Sequence, residues 1–395
     1  MVNARIVQID NMNVSKEEIR KIGVDANSIP YLASKALFIV MKIENISAYA
    51  ANIIKHEMLA KGGDAAVNRG VFDCSIKESD VLLMGTYSQY GRLIYKLSAY
   101  RGVFTEIADE IQRVIKVLDI GKPKYFECGK YKLPIGEKTY VMGILNVTPD
   151  SFSDGGKYTN LDKAIKRAID MVENGADIID VGGESTRPGY QPVDPFDEIS
   201  RVVPVIEKLT KEINVPISVD TSKAIVAEKA IMAGACIIND IWGMQKDENM
   251  AEVVSKTGAG VIIMHNSDST EYTDLMGDII GFLKKSIKMA ENAGVRRESI
   301  AVDPGIGLGF GKTLEHNLEV MRRLKELDSL NTPVLIGTSR KSLIGNILEL
   351  PVNERLEGTA ATVTLGIANG ADIIRVHDVK EMVRVARMTD AMVRI

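Results

Sequence analysis

The chain has 395 residues, 45% hydrophobic and 26% charged, with three cysteines and a formal net charge of −4. That is the balance of a globular chain of about two domains. It excludes several classes. No apolar run reaches membrane-span length, the longest being of the kind seen at Ala36 to Met41. The start, Met1-Val-Asn-Ala-Arg, lacks the apolar core of a signal peptide. Cys74, Cys128 and Cys236 show no CxxC spacing, so neither a disulfide framework nor a cysteine metal site is expected. A cytoplasmic location is the default expectation. Residues 1–124 hold 17 Lys and Arg against 14 Asp and Glu, and the rest hold 32 against 39. Neither part has a basic block, so no nucleic-acid partner is expected.

Residues 1–122 read as a small α+β domain of unassigned role. Short apolar runs occur at Ala4 to Ile9, Leu37 to Ile43 and Val81 to Met84. Ser47 to Ala60 has helical spacing with Ser47 as N-cap. Val103 to Leu118 puts Ile107, Ile111, Val114, Ile115 and Leu118 on one helical face. Gly121-Lys-Pro-Lys124 reads as a linker. Tyr125 to Thr139 suits a hairpin that closes the bottom of a barrel.

Residues 123–395 form the second domain. From Tyr140 strand and helix alternate. Strands are predicted at Val141–Leu145, Asp177–Val181, Pro216–Val219, Ile237–Asn239, Gly260–Met264, Ile300–Val302, Pro333–Ile336 and Ile373–Val376. All are short and rich in Val and Ile, as parallel strands covered on both faces should be. Helices are predicted at Leu161–Asn174, Phe196–Lys211, Lys223–Ala233, Ile279–Ala293, Leu314–Leu327 and Glu354–Asn369. Asn-Gly-Ala-Asp recurs at 174–177 and 369–372, with Gly at the expected helix C′ position. The fold class is therefore α/β, a (β/α)8 TIM barrel preceded by the α+β domain. The run Gly305-Ile-Gly-Leu-Gly-Phe-Gly-Lys-Thr313 fits neither GxxxxGK[ST] nor GxGxxG, and reads as a barrel loop.

Nearly every strand is followed by polar residues: Asn146, then Gly183-Glu-Ser-Thr-Arg-Pro188, Asp220, Asn239, His265, Asp303, Ser339-Arg-Lys341, and Arg375 with His377. Barrel chemistry is done at that end of the strands. Asp220, Asn239 and Asp303 suit the amino-amide edge of a planar heterocycle. Arg375 can stack on a flat ring, and Lys341 can donate to its oxygen or nitrogen. Thr186, Arg187, Ser339, Arg340 and His377 are what a phosphate or pyrophosphate needs. Asn146 offers an oxygen acceptable to Mg2+, which usually keeps waters and binds substrate phosphates. His265 and His316 stand alone and read as structural, His316 at a helix start.

Segments 143–156, 180–189, 218–221, 238–241, 303–307, 337–342 and 375–378 closely resemble, in order, those of the dihydropteroate synthases. The resemblance implies condensation of 6-hydroxymethyl-7,8-dihydropterin pyrophosphate with 4-aminobenzoate, giving 7,8-dihydropteroate and pyrophosphate by an SN1-like route in folate synthesis. It implies that Asp220, Asn239, Asp303 and Lys341 hold the pterin and that Arg375 stacks on it. Asn146 with Mg2+, Thr186, Arg187, Arg375 and His377 would serve the pyrophosphate. Phe152, Pro188 and Ser342 would contact aminobenzoate. Asp154, in a loop that closes over the site, would stabilise the cation, making Asp154, Lys341 and Arg375 the catalytic set. A homodimer is expected by the same analogy. The segment from Asp303 to Thr313 is two residues longer than the usual family form. The alternatives are a methyltetrahydrofolate:corrinoid methyltransferase-like enzyme and a non-catalytic pterin-binding protein. Arg187, Arg340 and the Ser151-Phe-Ser-Asp-Gly loop count against the first, and the intactness of that loop and of the one around Thr186-Arg-Pro188 counts against the second.

Overall fold

Strand β1 (Phe38–Ser47) ends where the first long helix begins, because Ser47 caps that helix by accepting from Ala50 N at 3.2 Å. The computed structural model describes residues 1–147, 157–184 and 193–394. Two units are formed, Met1–Gly121 and Lys122–Ile395. In the first, β1 pairs antiparallel with β3 (Glu78–Thr86), and β3 pairs with β2 (Asp64–Val67). Helices Ala48–Ala60, Tyr87–Ser98 and Val103–Ile120 contribute to its core, where Ile54, Met58, Leu83, Tyr90, Leu93 and Ile111 are fully buried. The run Ala4 to Ile9 forms no regular element and is mostly exposed, having no partner strand.

In the second unit a hairpin, β4 (Tyr125–Cys128) with β5 (Tyr131–Pro134), comes first. Eight parallel strands follow: β6 (Tyr140–Asn146), β7 (Ile178–Gly182), β8 (Ile217–Asp220), β9 (Ile237–Asp240), β10 (Gly260–Met264), β11 (Ile300–Asp303), β12 (Leu335–Ile336) and β13 (Ile373–Val376). Their order is β11-β10-β9-β8-β7-β6-β13-β12, and a parallel bridge from Val302 to Val334 closes the ring. The result is the (β/α)8 barrel. No helix among the described residues is long and apolar enough to cross a membrane.

The strand period of two divides the core. Val141, Ile179, Val219, Ile238, Val261, Val302 and Ile374 face the surrounding helices. Tyr140, Met142, Ile178, Ile237, Ile262, Ala301, Leu335 and Ile373 fill the barrel, together with Phe126 and Cys128 of the hairpin. The hairpin thus plugs the N-terminal end of the barrel, and polar side chains are left to its C-terminal mouth.

Gly260 is the tight point of that plug. A Cβ there would lie 2.8 Å from Cys128 Cβ, 3.0 Å from the Phe126 ring and 3.1 Å from Glu127 O. Since two of these are backbone or rigid ring, the hairpin would have to move. Gly260→Val should therefore lower stability by ~1–3 kcal/mol, read as a fall in melting temperature. An unchanged melt would mean that the hairpin does not seal the barrel.

Candidate active site

Alternate residues of the strands fill the lower barrel with carbon, and the same alternation delivers polar groups at the mouth. On β7 the inward set is Ile178, Asp180 and Gly182. On β8 it is Ser218 and Asp220, on β9 Ile237 and Asn239, on β11 Ala301 and Asp303, and on β13 Ile373 and Arg375. Asp180, Asp220, Asn239 and Asp303 are 0%, 9%, 4% and 5% exposed.

Arg375 spans this group. Its Nε donates to Asp180 Oδ2 at 2.6 Å and its Nη2 to Asp220 Oδ2 at 2.5 Å. Asn239 Nδ2 also donates to Asp180 Oδ2, at 3.3 Å. Burial pushes the Asp220 carboxyl up to about 7, against the pull of Arg375. Burial raises Asp303 as well, although Lys341 opposes it and Gly305 N donates to its Oδ1 at 2.7 Å. Burial lowers Lys341 to about 8 against the attraction of Asp303. The Lys341 ammonium bonds to Ile306 O and lies 4.9 Å from the centre of the Phe310 ring. Five residues predicted to serve a heterocycle, Asp220, Asn239, Asp303, Lys341 and Arg375, are therefore gathered at one end of the barrel.

Asp180 belongs with them and was not singled out from the sequence. It lies inside an apolar run, and only the alternation from Ile178 marks it as inward-facing. Its Oδ1 and the hydroxyl of Ser218, its register partner on β8, are buried without a protein hydrogen bond. Unpartnered buried polar atoms are costly unless a ligand or water meets them.

The phosphate-type groups sit on the adjoining side. His377 N and Nδ1 each lie 3.1 Å from Ser339 Oγ. That hydroxyl accepts from the backbone N–H and also meets Nδ1, which leaves Nε2 as the ring nitrogen turned away from Ser339. Burial and the nearby Arg375 and Arg340 lower His377 to about 4, which leaves the ring neutral at pH 7. Arg340 is engaged by Asp378, with Nε donating to Oδ2 at 2.8 Å. Asn146 ends β6 beside Gly182, with its Oδ1 3.6 Å from where a Gly182 Cβ would stand. Among the described residues no cluster of three His, Cys, Asp or Glu could hold a metal. One amide oxygen fits only a cation that draws its other ligands from water and substrate, as Mg2+ does.

The loop after β7 starts from a fixed base. Lys223 Nζ is 2.5 Å from the buried Glu198 Oε2 and also bonds Glu184, while Arg201 donates to Gly183 O at 2.8 Å. Thr186, Arg187 and Pro188, and likewise Phe152 and Asp154, lie outside the described residues. Ser342 is half-buried and opens the helix Ser342–Leu348. His316, expected at a helix start, sits at N3 of a capping box with Thr313. His265, expected to stand alone, is instead 2.7 Å from Lys312 Nζ.

A family model for pterin binding enzymes matches residues 142–377. A dihydropteroate synthase of Clostridium beijerinckii is 57% identical over 67% of this chain and 98% of its own. The chain belongs to the dihydropteroate synthase family. A solved dihydropteroate synthase from Clostridium difficile, in the presence of pteroic acid, superposes with a TM-score of 0.65 at 58% identity, over 66% of this chain and 99% of that one. A third relative extends further. A probable bifunctional folylpolyglutamate synthase/dihydropteroate synthase of Halobacterium salinarum is 38% identical over 97% of this chain and 46% of its own length. The two clostridial dihydropteroate synthases cover about two thirds of this chain, whereas the match to the bifunctional protein, at 97%, takes in the first unit too. Membership of this transferase family sets aside the corrinoid methyltransferase reading.

Proposed function

We propose that the chain makes dihydropteroate by an SN1-like route, with Asp220, Asn239, Asp303 and Lys341 on the pterin and Arg375 stacked against it. The observation that carries this reading is the convergence of those five side chains on one barrel mouth, bridged by a single guanidinium between Asp180 and Asp220. Two carboxylates and an amide can meet the amino-amide edge of a pterin, and Lys341 can meet its ring acceptor.

In the first step the bond between the pterin methylene and pyrophosphate oxygen breaks, and the electron pair leaves with the pyrophosphate. Positive charge spreads over the dihydropterin. The buried carboxylates below the ring favour that charge more than they favour the neutral substrate. Arg375, His377 Nε2, Thr186 and Arg187 receive the pyrophosphate. Asn146 would contribute one oxygen to Mg2+, which when bound neutralises the departing pyrophosphate. In the second step the neutral arylamine of 4-aminobenzoate forms the carbon–nitrogen bond and then releases a proton to water. Phe152, Pro188 and Ser342 contact the aminobenzoate, and Asp154 stabilises the cation.

The roles separate experimentally. With Mg2+, the pterin pyrophosphate and aminobenzoate, the purified protein should form dihydropteroate. Asp303→Ala should weaken pterin binding, measured by calorimetry, by about 100-fold. Asp154→Ala should leave pterin binding unchanged and lower kcat by about 100-fold. Equal losses of binding and turnover in both variants would contradict this division of labour.

A further inference from the structure

A buried amine with no carboxylate bonded to it among the described residues lies beside the candidate pterin pocket. Lys312 is 1% exposed. Its Nζ is 2.7 Å from His265 Nδ1 and 3.3 Å from the Phe310 carbonyl oxygen. Burial brings Lys312 down to about 7 and His265 down to about 3, so His265 is neutral. A methionine of similar length would fill this space without the cost of desolvating an amine. Lys312 therefore weakens the fold at its own position, and its effect must be sought in what it touches.

It touches a loop that cannot hold its own shape. Residues 305–311 place glycine at every second position, and Gly305 and Gly311 adopt φ of +72° and +69°. External groups fix it. A Cβ on Gly305 would lie 2.1 Å from His265 O, so the loop rests directly on the end of β10. Tyr272 donates its hydroxyl to Gly311 O at 2.7 Å, and Gly307 N donates to Asn317 Oδ1 at 2.6 Å. Lys312 adds the link from His265 to the Phe310 carbonyl. The Phe310 ring, 9% exposed, is thereby turned under the Lys341 ammonium, which in turn bonds Ile306 O of the same loop.

We propose that Lys312 is a positioning residue for pterin binding: through His265 and the Phe310 carbonyl it sets the 305–313 loop so that Lys341 is held at the pterin edge. This rests on the assignment of Asp303 and Lys341 to the pterin.

The test uses the full chain and its two substrates. Lys312→Met should raise the KM for the pterin pyrophosphate about tenfold and leave that for aminobenzoate within about twofold. Its melting temperature should equal or exceed that of the parent. His265→Leu should show the same split, and the double variant should be no worse than either alone. A lower melting temperature with both KM values unchanged would make Lys312 purely structural and overturn the proposal. So would additive losses in the double variant. Asp303→Ala serves as the control. If it keeps the parent's pterin KM, the pterin assignment itself fails. If it loses binding while Lys312→Met does not, only the role of Lys312 fails.

Discussion

Arg375→Met should abolish measurable synthesis, lowering kcat/KM by on the order of 1,000-fold, and should make the protein's stability unusually sensitive to pH. The two effects have one origin. The Arg375 guanidinium is the only group hydrogen-bonded to the Asp220 carboxylate among the described residues, and it also holds Asp180, whose side chain is fully buried. Removing one partner from a buried charge pair costs ~3–5 kcal/mol, because the other charge is left without compensation. Lysine should not rescue the site, since one ammonium cannot reproduce a fork with Nε on one carboxylate and Nη2 on the other.

The pH dependence follows from Asp220. Its folded pKa of about 7 lies above the unfolded value of ~3.9. Between those values the folded state holds a proton that the unfolded state has lost. The stability contributed by this group is complete below pH ~4 and is lost as pH rises through the folded pKa. Arg375 opposes the rise, so its removal should move the folded pKa higher and extend the loss to higher pH. The melting-temperature deficit of Arg375→Met relative to the parent should be small near pH 5 and large near pH 8. Parallel curves across that range would show that Asp220 is not governed by Arg375.

The sequence carried much of this, for reasons that differ residue by residue. Strands β10 and β13 match their predicted bounds because both faces of a parallel barrel strand are covered, which leaves an apolar run, unbroken in β10 and interrupted in β13 by Arg375. The helix predicted over Leu314–Leu327 stops at Arg322 and continues as a 3-10 turn from Leu324 to Leu330. Leu324, Leu327 and Leu330 are all buried, and their spacing of three suits a helix with three residues per turn, which a pattern search for α-helix reads as continuation. Asp220, Asn239 and Asp303 were legible because they lie at or next to the C-terminal ends of strands. Asp180 was not, since its meaning depends on which way β7 faces once the barrel has closed. His265 and Lys312 are 47 residues apart and come together only through the packing of one loop on a neighbouring strand, so no local spacing could announce the pair.

Lys341 gives the second large effect, in which activity and stability run in opposite directions with pH. Burial lowers its ammonium to about 8, although Asp303 and Asp220 attract it. Pterin capture needs the charged form, which donates to a ring acceptor while facing those carboxylates. The kcat/KM for the pterin pyrophosphate should therefore fall about tenfold per pH unit once pH exceeds 8, following deprotonation of the free enzyme. Stability behaves differently. An unfolded lysine titrates near ~10.4, so above the folded pKa of about 8 the unfolded state binds more protons and this group's contribution to stability rises with pH. Lys341→Met should lower kcat/KM by about 100-fold at pH 7 and remove the alkaline fall. It should also melt above the parent at pH 7, with that advantage shrinking toward zero between pH 8 and 10, because the parent loses its buried charge over the same interval. Both slopes come from one proton. If the alkaline fall survives in Lys341→Met, or if the melting advantage stays constant with pH, the ammonium that binds the pterin is not the one that titrates.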